Sequence, residues 1–247
     1  MYLPILQIHS EDMPPYAIVC GDPRRAEAIA RKLEPVRELS FAREYRTFVG
    51  TYDGVQLAVV SHGVGSPGAA VCFEELIRAG VKTLIRVGTC GSYQADLPAG
   101  SLVISTAAAR EEGLTKQLVP QGFPAVADAE VVAALAEAAR EVPGDGAVRK
   151  GMTVCYDAFF TGVLELPHKT YKQAGILAVE MEIAALYVVS SLRGARAGAI
   201  LAVDGFADSD LAAEYDPHTD AVSRAVEREI EIALKAASSL AKRDALK

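Results

Sequence analysis

The chain has 247 residues and a formal net charge of −7, with 51% of residues hydrophobic and 23% charged. That surplus of acid argues against a broad surface for nucleic-acid backbones, so any anion has to be held by a local cluster of arginines. No apolar run approaches the roughly 20 residues of a membrane-spanning helix, and the opening MYLPILQIHSEDMPP lacks the basic start and long apolar stretch of a secretory leader, which predicts a cytoplasmic protein. The four cysteines, Cys20, Cys72, Cys90 and Cys155, form no CxxC pair and sit in apolar surroundings, the pattern of buried free thiols in a reducing compartment.

In chain order, YAIVC (16–20) reads as the first strand. It ends at Gly21, and CGDPRRAEAIA opens a helix over 23–34 with Asp22 as N-cap and Pro23 in the first helical position. Arg24 and Arg25 fall in the first turn, where the helix dipole disfavours cations. A solvated surface position explains either arginine alone, whereas a bound anion at the helix start explains the glycine and the charge together. VQLAVVS (55–61) is a strand followed by a helix over 66–79. KTLIRVG (82–88) carries Arg86 inside an apolar run, and RVGTCGS surrounds Thr89 with Gly88 and Gly91, which allow a sharp turn. Open α/β sheets hold ligands at strand carboxyl ends, making Arg86 and Thr89 candidates for an anion site, with a structural salt bridge as the plainer account of the arginine. GSLVIST (100–106), a helix over 128–141 and GMTVCY (151–156) continue the alternation.

GILAVE (175–180) leads into a helix over 181–193, and Glu180 and Glu182 lie between the two apolar segments. Residues two apart share a face only on an extended chain, so these acids act together only if the helix starts after them or the chain is irregular there. Acids at a helix start are favoured by its dipole; the functional alternative is that they accept hydrogen bonds from the hydroxyls of a sugar. AGAILAVDG (197–205) ends in Asp204, which caps a turn or, partly desolvated with a raised pKa, serves as a general acid. A last helix spans 217–241. With no linker, repeat or low-complexity tract, the pattern predicts one α/β domain over 1–247, a central mixed or largely parallel sheet flanked by helices.

GDPRR, REYRTF, SHGVGSPGAAVCFEEL, RVGTCGS and VEME occur in the order and spacing of the hexameric nucleoside phosphorylase family, and the chain resembles that family, its purine nucleoside phosphorylases most closely, over nearly its whole length. The resemblance implies a single α/β domain with a distorted central mixed sheet and a homo-oligomer, a hexamer built as a trimer of dimers, whose sites are completed by a neighbouring subunit. It implies cleavage of purine (deoxy)ribonucleosides by phosphate, giving free base and (deoxy)ribose 1-phosphate. Carried over by motif, Gly21, Arg25, Arg86 and Thr89 hold phosphate, and Arg43 reaches in from the neighbour. Glu182 binds the ribose 2′ and 3′ hydroxyls, Met181 packs on the sugar, Glu180 assists, and His9 resembles the neighbour's histidine at the 5′ hydroxyl. Phe159 and Phe160 resemble the base-stacking and sugar-packing aromatics, with core packing as their alternative. Asp204 resembles the acid that protonates a purine ring nitrogen.

Phosphate is then a co-substrate; no cofactor, metal, nucleic acid or membrane partner is expected. Gly68 replaces a serine used at the monovalent-cation site of some uridine phosphorylases. His62, His168 and His218 read as structural or surface residues. Uridine phosphorylases that resemble this chain carry Gln and Arg shortly after the aromatic pair of YDAFF, where Val163 and Glu165 stand here. The three arginines argue against a hydrolytic nucleosidase, and their presence together with Asp204 argues against a non-catalytic nucleoside-binding protein.

Overall fold

A strand covered on both faces has no polar side, and YAIVC is buried at every position because it runs through the middle of the sheet. The computed structural model describes residues 1–207 and 216–247. Its strands are β1 (Tyr2–Leu3), β2 (Ile8–His9), β3 (Tyr16–Cys20), β4 (Val36–Ala42), β5 (Tyr45–Tyr52), β6 (Val55–Ser61), β7 (Thr83–Ser92), β8 (Leu102–Arg110), β9 (Ala125–Val126), β10 (Val148–Cys155), β11 (Ala178–Glu180) and β12 (Arg196–Phe206). The α-helices are α1 (Pro23–Ala30), α2 (Ser66–Arg78), α3 (Leu114–Leu118), α4 (Ala129–Glu141), α5 (His168–Gln173), α6 (Ile183–Arg193) and α7 (Asp220–Asp244).

Apart from the small β1–β2 hairpin, the strands form one mixed sheet in the order β11-β10-β8-β12-β7-β3-β6-β5-β4, with β9 on β8. Neighbours are parallel from β6 through β3 and β7 to β12, and antiparallel from β6 outward to β4 and between β12 and β8. The distortion expected of the sheet has a simple form. β11 pairs with β10 on one side and with β7 on the other, so β7, β12, β8, β10 and β11 close into a ring. One core lies on the α2 and α6 face around Phe73, Leu76 and Leu186, and a second under α1, α4 and α7 around Ile29, Leu135 and Leu234. The expected α/β class, with helices on both faces of a central mixed sheet, is the one observed.

Besides the two-residue β1, β2 and β9, the strands β4 and β5 have no counterpart in the sequence reading. β4 is an edge strand, exposed over most of its length, so it shows no apolar alternation; β5 pairs with it across a turn at Arg43 and Glu44. The segment around Arg43 is this hairpin, and Tyr45, Thr47 and Phe48 are buried in it. The four cysteines are buried and unpaired. No helix among the described residues is long and apolar enough to cross a membrane.

Candidate active site

The carboxyl ends of β3, β6, β7, β11 and β12 converge on one open cavity of about 1170 Å3, lined among others by Gly21, Gly63, Thr89, Glu180 and Asp204. Strand ends of this kind present backbone groups and side chains to a shared crevice, the usual position for a ligand in an open α/β sheet.

At one side stands the start of α1. The Asp22 carboxylate accepts the Arg24 amide at 2.8 Å, the N-cap bond expected there, worth about 1 kcal/mol to the helix. This cap fixes the first turn so that Arg25 lines the cavity while Arg24 stays exposed. Opposite lies β7, which does not turn sharply at Thr89 as expected; it continues as a strand to Ser92. The glycine at 88 answers a different need: a Cβ there would lie 2.9 Å from Nη2 of Arg86, so only a glycine lets the guanidinium fold back along its own strand.

Arg86 is only 4% exposed. Its Nη2 donates to Oε2 of Glu182 at 2.5 Å and lies 3.6 Å from Oε2 of Glu180, while Nη1 donates to Nε2 of His62 at 2.9 Å. His62 Nδ1 is 2.8 Å from the Gly63 carbonyl, which fixes the Nδ1–H tautomer and leaves Nε2 as the acceptor that Arg86 needs. Burial, reinforced by the Arg86 charge, holds the imidazole pKa well below its ordinary value. Arg86 thus makes the structural salt bridge and also lines the cavity.

The two acids of VEME are divided in labour. α6 starts at Ile183, so Glu180 and Glu182 precede it and both reach the cavity, the condition the sequence set for their acting together. Oε2 of Glu180 accepts the amides of Glu182 and Ile183 at 2.7 and 2.9 Å, capping the helix start. The helix-start account thus describes Glu180, whose pKa burial pushes up to about 7 against the pull of Arg86. Glu182 instead accepts the Gly65 amide at 2.6 Å through Oε1 and Arg86 through Oε2. Gly65 has φ +94, so the loop that brings this amide in needs glycine. Met181 also lines the cavity, and its carbonyl accepts Ser66 Oγ at 2.9 Å.

Asp204 lies where the β12–β7 register shifts, between Val203, opposite Cys90, and Gly205, opposite Gly91. The bulge turns its carboxyl to the cavity, where it is 6% exposed. Of the stretch AVDGFADSD, residues 208–210 lie outside the described residues. Phe159 and Phe160 line the cavity at 45% and 76% exposure, which removes core packing as their explanation. Val163 and Glu165 are exposed and off the cavity wall.

Arg43 and His9 are not brought to this cavity. Arg43 sits exposed at the β4–β5 turn with φ +57, and His9 on β2 faces solvent 3.6 Å from Glu11. Conversely, Glu44, Tyr156 and His168 line it although the sequence analysis assigned them no part in the site. His168, expected to be structural or superficial, is a wall residue whose Nδ1 lies 2.6 Å from the buried Tyr93 hydroxyl, with Tyr156 edge-on at 5.5 Å. The aromatics of RVGTCGSY and TVCY, each following a strand end, were the available signal. His62 is buried, as a structural residue should be, and His218 is exposed.

Arg25 from α1, Arg86 from β7, the carboxylates Glu180 and Glu182 before α6 and the buried Asp204 of β12 thus line one cavity at the strand ends of a mixed sheet. The chain belongs to the phosphorylase superfamily, whose family model matches residues 15–242. It is 37% identical over 240 residues to a guanosine phosphorylase of Halorubrum lacusprofundi, covering 96% of this chain and 98% of that one. It is 39% identical over 206 residues to a uridine phosphorylase of Thermococcus kodakarensis, covering 78% of this chain and 73% of the other. Among solved structures it resembles the purine nucleoside phosphorylase of Toxoplasma gondii in complex with immucillin-H, with TM-score 0.93 and 34% identity over 98% of this chain and 97% of that one. The family is enzymatic, and these relatives are phosphorylases acting on different nucleosides.

Proposed function

We propose that the chain is a purine nucleoside phosphorylase, transferring the pentosyl group of a purine (deoxy)ribonucleoside to inorganic phosphate. The observation that carries this reading is the meeting in one cavity of Arg25, Arg86 and Thr89 with Glu182 and Asp204. Phosphate sits against Gly21, Arg25, Arg86 and Thr89, where guanidinium donors hold its oxygens. A carboxylate offers about four acceptor sites, and Glu182 has spent two on Gly65 and Arg86, so two remain for the ribose 2′ and 3′ hydroxyls. Met181 packs on the sugar and Phe159 and Phe160 on the base and sugar. As the glycosidic C–N bond lengthens, positive charge gathers on the ribose ring, the phosphate stabilises it and then bonds to C1′. Asp204 gives its proton to the departing base and is reprotonated from solvent.

Preference for purines rests on Asp204, the acid at the cavity wall; positions 163 and 165, exposed and off that wall, carry neither an amide nor a guanidinium. Inosine or guanosine should exceed uridine in kcat/KM by at least about tenfold, a barrier difference of about 1.4 kcal/mol. Base release should require phosphate or arsenate, with ribose 1-phosphate formed in phosphate. Equal rates without phosphate would make the chain a nucleosidase, and uridine as the better substrate would reverse the base assignment.

The exposure of Arg43 and His9 supports a second part of the reading, that they serve the cavity of a neighbouring subunit in a homo-oligomer, with Arg43 at phosphate and His9 at the ribose 5′ hydroxyl. Arg43→Ala and Asp204→Ala should each give poorly active homo-oligomers. Mixed oligomers from co-expression should recover activity well above the sum of the two, because some sites then combine an intact Arg43 with an intact Asp204. A fully active monomer, or purified mixed oligomers without recovery, would end the shared-site proposal.

A further inference from the structure

The buried face of α7 is built from Val222, Ala225, Ile232, Ala233, Ala236 and Leu240, and one acid, Glu229, stands on that same stripe. It is 0% exposed, and neither of its carboxyl oxygens makes a well-formed hydrogen bond. α7 packs on β12 and β7. The amides of Gly88 on β7 and Ala202 on β12 interact with the carboxyl and pull its pKa down. The charged and titratable groups that act on it are Arg25 from α1, Arg86 and Cys90 from β7, and Cys20 from β3. None of these cations forms an ion pair with it within 4.0 Å among the described residues. An ionised carboxylate so deeply buried and without a contact counter-charge is disfavoured, which favours the neutral acid. Burial pushes its pKa up to about 8, against the pull of Arg25 and Arg86.

We propose that Glu229 is a positioning residue of the anion site: as a neutral acid behind the Gly88–Thr89 end of β7, it leaves the fields of Arg25 and Arg86 to a bound dianion. This rests on the assignment of that end of the cavity to phosphate. When Glu229 ionises, its charge takes up part of the field that the dianion uses, so anion affinity falls. By reciprocity, a bound dianion keeps Glu229 protonated to higher pH. The effect belongs to phosphate affinity and not to bond cleavage, so it should appear in the phosphate KM and leave kcat nearly unchanged.

The test uses the whole protein and sulfate, whose charge is constant across the range, with affinity measured by calorimetry between about pH 6.5 and pH 9.5. Glu180, beside Arg86 and itself pushed up to about 7, titrates in wild type and variants alike, so the expected result is a difference: above about pH 7.5 wild-type sulfate affinity should weaken several-fold more than that of Glu229→Gln and Glu229→Met. Phosphate KM should follow the same split. The infrared difference spectrum between wild type and Glu229→Gln should contain a protonated-carboxyl band near pH 6.5 that disappears near pH 9.5. A wild-type profile that runs parallel to that of the variants, or variants that are destabilised yet retain the wild-type pH dependence, overturns the inference and leaves the phosphate assignment standing. A carboxyl band that titrates in a protein binding neither sulfate nor phosphate at any pH overturns both together.

Discussion

Replacing Arg86 with alanine is expected to destabilise the protein by about 3–5 kcal/mol, because it strands two buried carboxylates whose cation has gone. For a chain of this size that corresponds to a fall in Tm of roughly 10 °C. It also leaves His62 Nε2 without its donor and, on the proposed function, removes a principal phosphate ligand, so kcat/KM for phosphate should fall by more than about a hundredfold. The sign of the pH dependence separates this cause from lost packing. Glu180 is already pushed up to about 7 by burial while Arg86 pulls it down, and without the guanidinium it rises further. An acid whose folded pKa exceeds its unfolded one stabilises the fold most below the unfolded pKa, and that stability is lost as pH rises through the folded pKa. The stability gap between wild type and Arg86→Ala, measured by urea unfolding, should therefore stay nearly constant up to about pH 7 and widen above it, where wild-type Glu180 is already ionised and that of the variant is not. A gap independent of pH would mean that Arg86 acts there mainly as packing. Arg86→Lys, which keeps the charge but loses the fork that reaches Glu182 and His62 at once, should restore most of the stability and little of the activity.

Asp204→Ala should lower kcat for natural purine nucleosides by about a hundredfold or more, the usual contribution of a positioned general acid. The side chain lies in a bulge of β12 at the cavity wall, so truncation leaves the strand pairing on either side intact. The loss should shrink sharply for a riboside whose leaving group departs without a proton, because the acid then has nothing to do. Equal losses for both substrates would assign Asp204 a role in binding or folding. Asp204→Asn, which keeps shape but cannot release a proton in this step, should behave like the alanine variant.

Much of the site was legible because the chemistry stands where short apolar strands end. YAIVC and VQLAVVS are strands over the residues expected, and Gly21, Arg25, Arg86, Thr89, Glu180, Met181, Glu182, Phe159, Phe160 and Asp204 all line the cavity. The N-cap at Asp22 was equally readable, since its partner is two residues away. β4 was not, because an exposed edge strand carries no apolar alternation to detect. Nor was the reason for Gly88, which is the approach of a guanidinium and not the backbone conformation of a turn.

By itself, then, the sequence determined the α/β class, the local caps and the family, because each depends on periodicity or on residues close together in the chain. What only the tertiary structure decided involves partners far apart in sequence. Arg86 meets Glu182 across 96 positions and His62 across 24. Which of two neighbouring acids caps α6 and which faces the cation followed from where β11 is clamped between β10 and β7. Glu229 is one of several acids on α7, and only the fold buries it against the sheet. Desolvation is a property of everything that surrounds a group, and no local pattern of residues records it.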